Sequence, residues 1–570
     1  MSVAPAPAPT EGKPLVKNEL LKIAIPTLAG NIAATLADTS KACFSGDDEQ
    51  FLKFHGIYQQ DDRDLRKTGK LYIWMIRGRI PGGVLSAKQW IAMDDLATTK
   101  ANNTLRVTTR QSIQFHGVVK DHLGPLMKDI NQAMIDTLAA CGDVNRNVMA
   151  SPAPAITSAR QQVFEDSRAV SEALLPQTKA YHAIWIDGVQ LNLDSEENKG
   201  FVDPLYGAQY LPRKFKIAFV IPPVNDMDIF TNCMGFVAVI ENDKLVGYNL
   251  TAGGGMGRSH GNTMTYPRLA DVVGFFPRER LVAVSKAVLT IHRDFGDRTD
   301  RKHARLKYVL EEKGVAWFRS ELEQRIGSRL EDAKPFKFVT TADTYGWQKG
   351  LDGRWFLTLF VESGRIKDTE KVKQKTALRR VAEQFGNVEF RLSANQNVLI
   401  ANVTDAEKDA VTALLHEHGV KTEKQASLLH AAAMSCPSMP TCGLGLAESE
   451  RFLPTLIDRI EAVCADVGLS DQEIIIRMTG CPNGCARPYM AEIGFVGKGP
   501  GRYQVWLGGN QNGTRLNKVW KDLLKETDTE TELRPLLVRY KAERTPGERF
   551  GDWVERVFWK EQPPVVVAAN

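Results

Sequence analysis

The sequence predicts an α+β protein of several domains built around an internal duplication, and three observations carry that expectation. First, two stretches read alike: Leu105–Val118 (LRVTTRQSIQFHGV) and Phe390–Val403 (FRLSANQNVLIANV), with Arg106 matching Arg391 and Gln111 matching Gln396. Second, each stretch reads as strand, turn, strand between two segments of helical periodicity. These are Ala87–Thr98 and Leu123–Ala139 around the first copy, and Thr376–Phe385 and Asp405–His418 around the second. Third, four cysteines follow the second copy as two close pairs, Cys436-x5-Cys442 and Cys481-x3-Cys485, separated by 38 residues. A chain of 570 residues exceeds one ordinary domain, and two to four are expected.

The elements follow in order. Residues 1–12 are a Pro/Ala-rich tail, read as disordered because it lacks a basic segment followed by an apolar one. Residues 13–70 form an N-terminal extension outside the duplicated core and are a candidate for partner contact. The duplicated half-domains span 71–140 and 335–415. Polar residues concentrate in their turns, Thr108–Gln111 and Ser393–Asn397. Such turns either carry function on a rigid sheet or are simply solvated.

Between the copies, 141–334 reads as an α/β segment with strands Ile217–Ile221 and Phe236–Ile240 and a hairpin through Glu241–Lys244. The glycine-rich stretch Ala252–Gly261 lacks the G-x-G-x-x-G register of a dinucleotide loop. Its glycines are read as bringing backbone close to a large ligand. From 416 to 570 comes the cysteine domain. It has a helix at Glu448–Val467, a strand at Glu473–Met478 leading into Cys481, a hairpin of Ile493–Val496 and Tyr503–Leu507, and a charged helical region over Leu516–Phe558.

Composition sets bounds. Charged residues at 25% and hydrophobic residues at 43% are ordinary for a soluble globular protein. No apolar run approaches the roughly 20 residues of a membrane helix. Eight cysteines in so long a chain, with no secretory leader, argue against a disulfide framework and for the reducing cytoplasm. The net charge of +5 is weak evidence for any partner. Nucleic acid is not expected, because the basic segments alternate with apolar strand residues and lack aromatic stacking platforms.

Four thiolates suit zinc or an iron–sulfur cluster. The x3 pair fits a zinc knuckle and the x5 pair does not, so both readings stay open beside that of unrelated buried thiols. Cys43, Cys141, Cys233 and Cys464 are scattered. Basic residues cluster at Arg77-Gly-Arg79, Arg106 with Arg110, Asn145-Arg146-Asn147, Arg213–Lys216, and Arg298–Lys302 with Arg305 and Lys307. Strand alternation puts Lys214 and Lys216 on one face. Each segment alone reads as solvated charge; together they make a cationic cavity for a polyanionic cofactor, a small oxyanion, or both.

An ordered set of motifs runs from about residue 50 to the end: Tyr58–Asp64 (YQQDDRD), Arg79–Gly83 (RIPGG), Thr109–Gln111 with Gln114–Gly117 (QFHG), Asn145–Asn147, Leu211–Lys216 (LPRKFK), Thr299–Lys302 (TDRK) and Thr479–Cys485 (TGCPNGC). The set resembles the siroheme nitrite/sulfite reductase family, and within it the sulfite-reducing hemoproteins. The resemblance implies a three-domain architecture, with two ferredoxin-like half-domains in a pseudo-twofold repeat and a cluster-binding C-terminal α/β domain. It implies a 4Fe-4S cluster on Cys436, Cys442, Cys481 and Cys485, with Cys485 also bridging to the siroheme iron.

By the same resemblance Arg106, Arg110, Gln114, Arg213, Gly253, Gly254, Gly255, Lys302 and Arg305 hold the siroheme, and His116 either contacts the cofactor or is a packed structural histidine. Arg79, Arg146, Lys214 and Lys216 bind sulfite and deliver protons during its six-electron reduction to sulfide, a step of assimilatory cysteine biosynthesis. The Lys214-Phe-Lys216 pair favours sulfite over nitrite, since the nitrite branch tends to carry Asn at the second position. No flavin or nicotinamide motif occurs, so electrons come from outside: from an NADPH-dependent flavoprotein (alpha) subunit, or from ferredoxin.

Overall fold

The duplicated stretches lie in two sheets of the same strand order. The first runs Ile57–Asp61, Tyr72–Arg77, Ile113–Val118, Leu105–Val107, Arg365–Ile366, and the second runs Gly346–Lys349, Trp355–Leu359, Val398–Val403, Glu389–Leu392, Val84–Ser86. The last strand of each sheet therefore comes from the other half. Arg365–Ile366 pairs with Leu105 and Arg106, and Val84–Ser86 pairs with Glu389–Arg391. Equivalent glycines turn the chain into each exchanged strand. Gly83 and Gly364 have φ of 74° and 73°, and a Cβ on them would lie 2.8 Å from Leu392 O and 2.4 Å from Val107 O.

Helices Ala87–Lys100, Lys120–Gln132, Gln374–Gln384 and Lys408–Glu417 cover these sheets. The first begins with a reciprocal cap between Ser86 and Gln89, which satisfies two backbone N–H groups. Its fully buried Trp90 stacks on Phe390 of the second copy, with ring centroids 4.3 Å apart. Buried Asp94 holds Lys375 (2.8 Å) and Arg379 (2.9 Å) across the same junction. The helix expected to reach Ala139 ends at Gln132.

The computed structural model describes residues 13–154, 157–177, 185–186, 189–190 and 202–565, so the Pro/Ala tail lies outside the described residues. Within them a second duplication emerges that the sequence reading did not contain. In the middle unit Ile217–Val220 runs parallel to Met234–Glu241, which continues antiparallel through Lys244–Ala252 and Asp271–Pro277. The C-terminal sheet repeats the plan. Ile476–Thr479 runs parallel to Ile493–Gly499, followed antiparallel by Arg502–Leu507 and Lys518–Lys525, with Met434–Ser435 added at the edge.

In each unit a left-handed residue, Asp228 (φ 44°) or Arg487 (φ 54°), precedes a one-turn 3₁₀ helix. In each unit a glycine pair closes the third strand. Gly254 N–H donates to Asn232 O and Gly509 N–H to Ala491 O, and a Cβ would meet Phe230 O at 2.2 Å or Met490 O at 2.3 Å. Gly254 is thus closed against the protein's own backbone, as is Gly509, whereas a Cβ on Gly253 or Gly508 would meet side chains, Leu310 Cδ2 at 2.7 Å and Trp559 Nε1 at 3.0 Å.

Two further expectations change. Lys518–Lys525 is a strand, not helix: Val519 and Leu524 are buried, and lysines mark an edge. The extension at 13–70 is built into the core. Leu28 is fully buried against the middle unit, and buried Lys22 pairs with Glu19 at 2.6 Å while donating to Leu211 O at 2.9 Å. Among the described residues no helix is long and apolar enough to cross a membrane.

Candidate functional site

Both cysteine pairs leave the C-terminal ends of neighbouring parallel strands, Met434–Ser435 and Ile476–Thr479, where α/β sheets habitually place ligands. Their loops interlock. Leu446 and Ala447 N–H both donate to Gly480 O, and a Cβ on Gly480 would lie 1.8 Å from Ser438 Oγ. Gly484 (φ 62°) makes the turn that delivers Cys485. The sulfurs receive donors: Gly480 N–H points at Cys436 Sγ (3.4 Å), and Asn483 Nδ2 at Cys481 Sγ (3.5 Å).

Burial pushes the Cys436 and Cys481 thiols up, and the charges of neighbouring cysteines push them further. A site that raises its thiols in this way holds thiolates only around a positive centre.

Cys485 differs from the other three. Its thiol is exposed, and its charge acts on Arg77, Lys214 and Lys216 as well as on Cys436 and Cys481. It stands where the cysteine site meets the basic cavity. Phe215 is fully buried between Lys214 and Lys216, as alternation requires, and its carbonyl accepts Arg146 N–H (2.9 Å). Among the described residues neither lysine side chain makes a hydrogen bond or ion pair.

Burial and the neighbouring Arg213, Arg305 and Arg146 push Lys214 down to about 7. Burial, Lys214, Arg110 and Arg305 push Lys216 well below the usual lysine range. The carboxylate of Asp143 is committed at the back wall. It accepts Arg301 at 2.8 and 3.0 Å, with Lys22 at 3.7 Å and Arg213 at 4.0 Å. Arg305 Nε is buried without a partner, and its Nη2 rests on Cys233 Sγ at 3.2 Å. Buried cations in such excess call for an anion, and a polycarboxylate cofactor with an oxyanion beside it fits that demand.

The structure sorts the remaining expected residues. Arg110 belongs to the cavity wall, donating to Asn232 Oδ1 (3.0 Å) and Asn147 O (2.6 Å), with Nε unpartnered; burial takes it down to about 9. Gln114 and His116 lie beside it. Arg77 donates to the Gln114 amide oxygen at 2.5 and 2.9 Å, and the Gln114 nitrogen donates to His116 Nε2 at 3.2 Å. Burial and nearby guanidiniums keep His116 neutral, with Nδ1 unpartnered. Arg106 is committed to the cysteine loop, bonded to Glu450 and to Ser435 O. Gly255 faces Arg305, whose Nη2 would lie 2.9 Å from a Cβ there. Lys302 is exposed, and its backbone N–H is held by Asp300.

Arg79 is not brought to the cavity. Its guanidinium is bonded to Asp136 (2.7 and 3.1 Å) and to Ser171 Oγ (3.2 Å). Its place is taken by Arg77, which donates to Cys141 Sγ (3.3 Å) and feels Cys485. The reason is local: the strand ends at Arg77, and beyond Gly78 the chain pairs with Asp136, so that Arg79 is taken up by that carboxylate. The signal available in the sequence was cross-strand pairing, since Arg77 lies opposite Gln114.

A profile of the nitrite/sulfite reductase ferredoxin-like half domain matches residues 66–133 and again 348–418. A profile of the nitrite and sulphite reductase 4Fe-4S domain matches residues 165–330, the cation-bearing copy of the second duplication. The sulfite reductase (NADPH) hemoprotein beta-component of Myxococcus xanthus is 48% identical over 97% of this chain and 98% of its own length. Its counterpart in Methylobacterium nodulans is 49% identical over 95% and 90%. The solved structure of Mycobacterium tuberculosis NirA protein superposes with a TM-score of 0.77 at 25% identity, covering 96% of this chain and 97% of that one.

Proposed function

The chain belongs to the nitrite and sulphite reductase family, and from that premise we propose that it is the hemoprotein component of an assimilatory sulfite reductase, converting sulfite to sulfide. The observation that carries the reading is the position of Cys485, an exposed thiol shared between the buried cysteines and the unpaired lysines. Cys436, Cys442, Cys481 and Cys485 would hold the 4Fe-4S cluster, and Arg110, Arg213 and Arg305, with Gln114 and His116, would hold the siroheme. When bound, the coupled cofactors would relay from the outside donor the six electrons that the sulfur of sulfite requires.

The chain supplies charge and protons. Arg77 and Arg146 clamp sulfite oxygens with their planar guanidinium forks. Lys214 and Lys216 neutralise charge as each S–O bond breaks. A lysine lowered to about 7 by burial and crowding also gives up a proton readily near neutrality and recovers it between cleavages. Three oxygens leave as water, and the paired lysines serve each departure in turn.

Electrons reach the chain from an NADPH-dependent flavoprotein subunit; the relatives are NADPH-dependent beta-components, which fits a separate partner that oxidises NADPH. The reducing cytoplasm suits its thiolates. Two measurements test the reading. The kcat/KM ratio for sulfite over nitrite with a dye donor is expected to favour sulfite, and a wide margin for nitrite would refute the substrate. Sulfide production is expected with the flavoprotein and NADPH; production with ferredoxin alone would replace that donor.

A further inference from the structure

The second duplication brings two equivalent residues into direct contact. Asp228 precedes Met234, and Arg487 precedes Ile493, by the same six residues, and those register partners are themselves equivalent. Arg487 Nε donates to Asp228 Oδ2 at 2.5 Å, and Arg477 Nη1 reaches the same oxygen at 2.6 Å. All three side chains are buried. The rest of the Arg487 guanidinium joins the first duplication. Its Nη1 donates to Thr109 O (3.2 Å) and its Nη2 to Ala394 O (3.0 Å), the same position in the two copied turns. One guanidinium thus ties all four repeated units at their common junction.

Arg487 is two residues from Cys485, and the Thr109 hydroxyl donates to Cys485 O at 3.0 Å. A continuous path therefore runs from the Asp228 carboxylate through Arg487 and the Thr109 turn to the backbone of Cys485. We propose that Asp228 is a positioning residue for the Cys485 thiolate: it fixes where that sulfur stands between the cluster and the cation cavity, and it opposes two guanidiniums behind it. Partners one layer behind a metal ligand orient it and tune the centre. Without the carboxylate, Arg477 and Arg487 lose the buried anion that both touch, while the Asp343 charge still acts on Arg487; the positive charge gained favours the more negative, reduced state of a neighbouring centre.

This inference rests on Cys485 being the shared thiolate, and the test separates the two. The holoproteins of wild type, Asp228→Asn, Asp228→Glu and Thr109→Val are compared. In Asp228→Asn, iron and tetrapyrrole content are expected to hold, the visible spectrum of the coupled centre to shift, and its midpoint potential to rise. In the same variant kcat for sulfite is expected to fall at least about tenfold with KM little changed, as for a misplaced reacting centre. Asp228→Glu is expected to restore the spectrum and most of kcat. Thr109→Val is expected to shift the same spectral feature with the ion pair intact.

If Asp228→Asn keeps the wild-type spectrum, potential and kcat and loses only thermal stability, the carboxylate merely braces the fold and the proposal is overturned. If that variant does not fold, an unchanged spectrum in Thr109→Val overturns it instead. Wild-type holoprotein with no electronic coupling between its iron centres would refute the shared-thiolate reading itself.

Discussion

At matching places in the two copied sheets, the first half presents Arg77, Gln114 and His116, and the second presents Thr358, Leu399 and Ala401. The first set lines a basic cavity with orphaned nitrogens on His116 and Arg110. In the second set, Leu399 and Ala401 close into a small apolar cluster with Phe356, packed by Ala153. The turns diverge in the same sense. Arg110 becomes Asn395, which donates to Thr341 O and Asp343, while Ser393 and Asn397 complete a ring around that carboxylate. One copy is satisfied by its own side chains, and the other is left for an outside anion to complete. Where a duplicated fold holds unpaired charge in one copy only, that copy marks the ligand.

The largest expected effect tests this asymmetry directly. Lys216→Ala should cut sulfite turnover by about 10²- to 10⁴-fold, the range of a lost proton donor, with cluster and siroheme retained; loss of siroheme on iron and tetrapyrrole analysis would break the division between cofactor and substrate cations. Next, Arg77→Met should cost about 10²-fold in kcat. Arg79→Met should leave kcat unchanged and cost about 1–3 kcal/mol in chemical denaturation, because it strips Asp136 of part-buried, charge-assisted hydrogen bonds. The reverse ranking would restore the assignment of Arg79.

A smaller effect concerns pH. A lysine lowered to about 7 is charged below that pH and neutral above it, and bound anions move its titration upward. Turnover should therefore decline about tenfold per unit on the alkaline side of the raised value. Lys214→Arg, which stays protonated, should flatten that limb in a kcat–pH profile while lowering its plateau. The smallest effect belongs to the second copy. Asp343→Asn should cost about 1–3 kcal/mol of stability through its disturbed ring of donors, with sulfite turnover lowered less than in Asp228→Asn.

Much of this was legible in the chain. The first duplication showed because both copies kept strand, turn and strand, with Arg106/Arg391 and Gln111/Gln396 still in place. The paired cysteines and the Lys214/Lys216 alternation led to the site. The second duplication was hidden. Its copies share little beyond Gly235-Phe-Val and Gly494-Phe-Val, and its equivalence lies in strand register and left-handed turns that many sequences adopt. The choice between Arg77 and Arg79 was equally hidden. Residues two apart share a face only while the strand continues, and nothing in the letters says that it stops at Arg77. Lys518–Lys525 read as helix because its charges fall at spacings that an edge strand also tolerates.

The exchanged strands have a consequence for how the molecule is made. Leu105–Val107 needs Arg365–Ile366 beside it, and Glu389–Leu392 needs Val84–Ser86. On the ribosome, where the chain emerges from its N-terminus, the first sheet keeps a bare edge until residue 366 has appeared. Bare edges recruit other strands, and long waits for a distant partner slow folding. The nascent first half therefore carries that bare edge throughout synthesis of the middle unit, and its sheet is complete only when the second copy has begun to be translated.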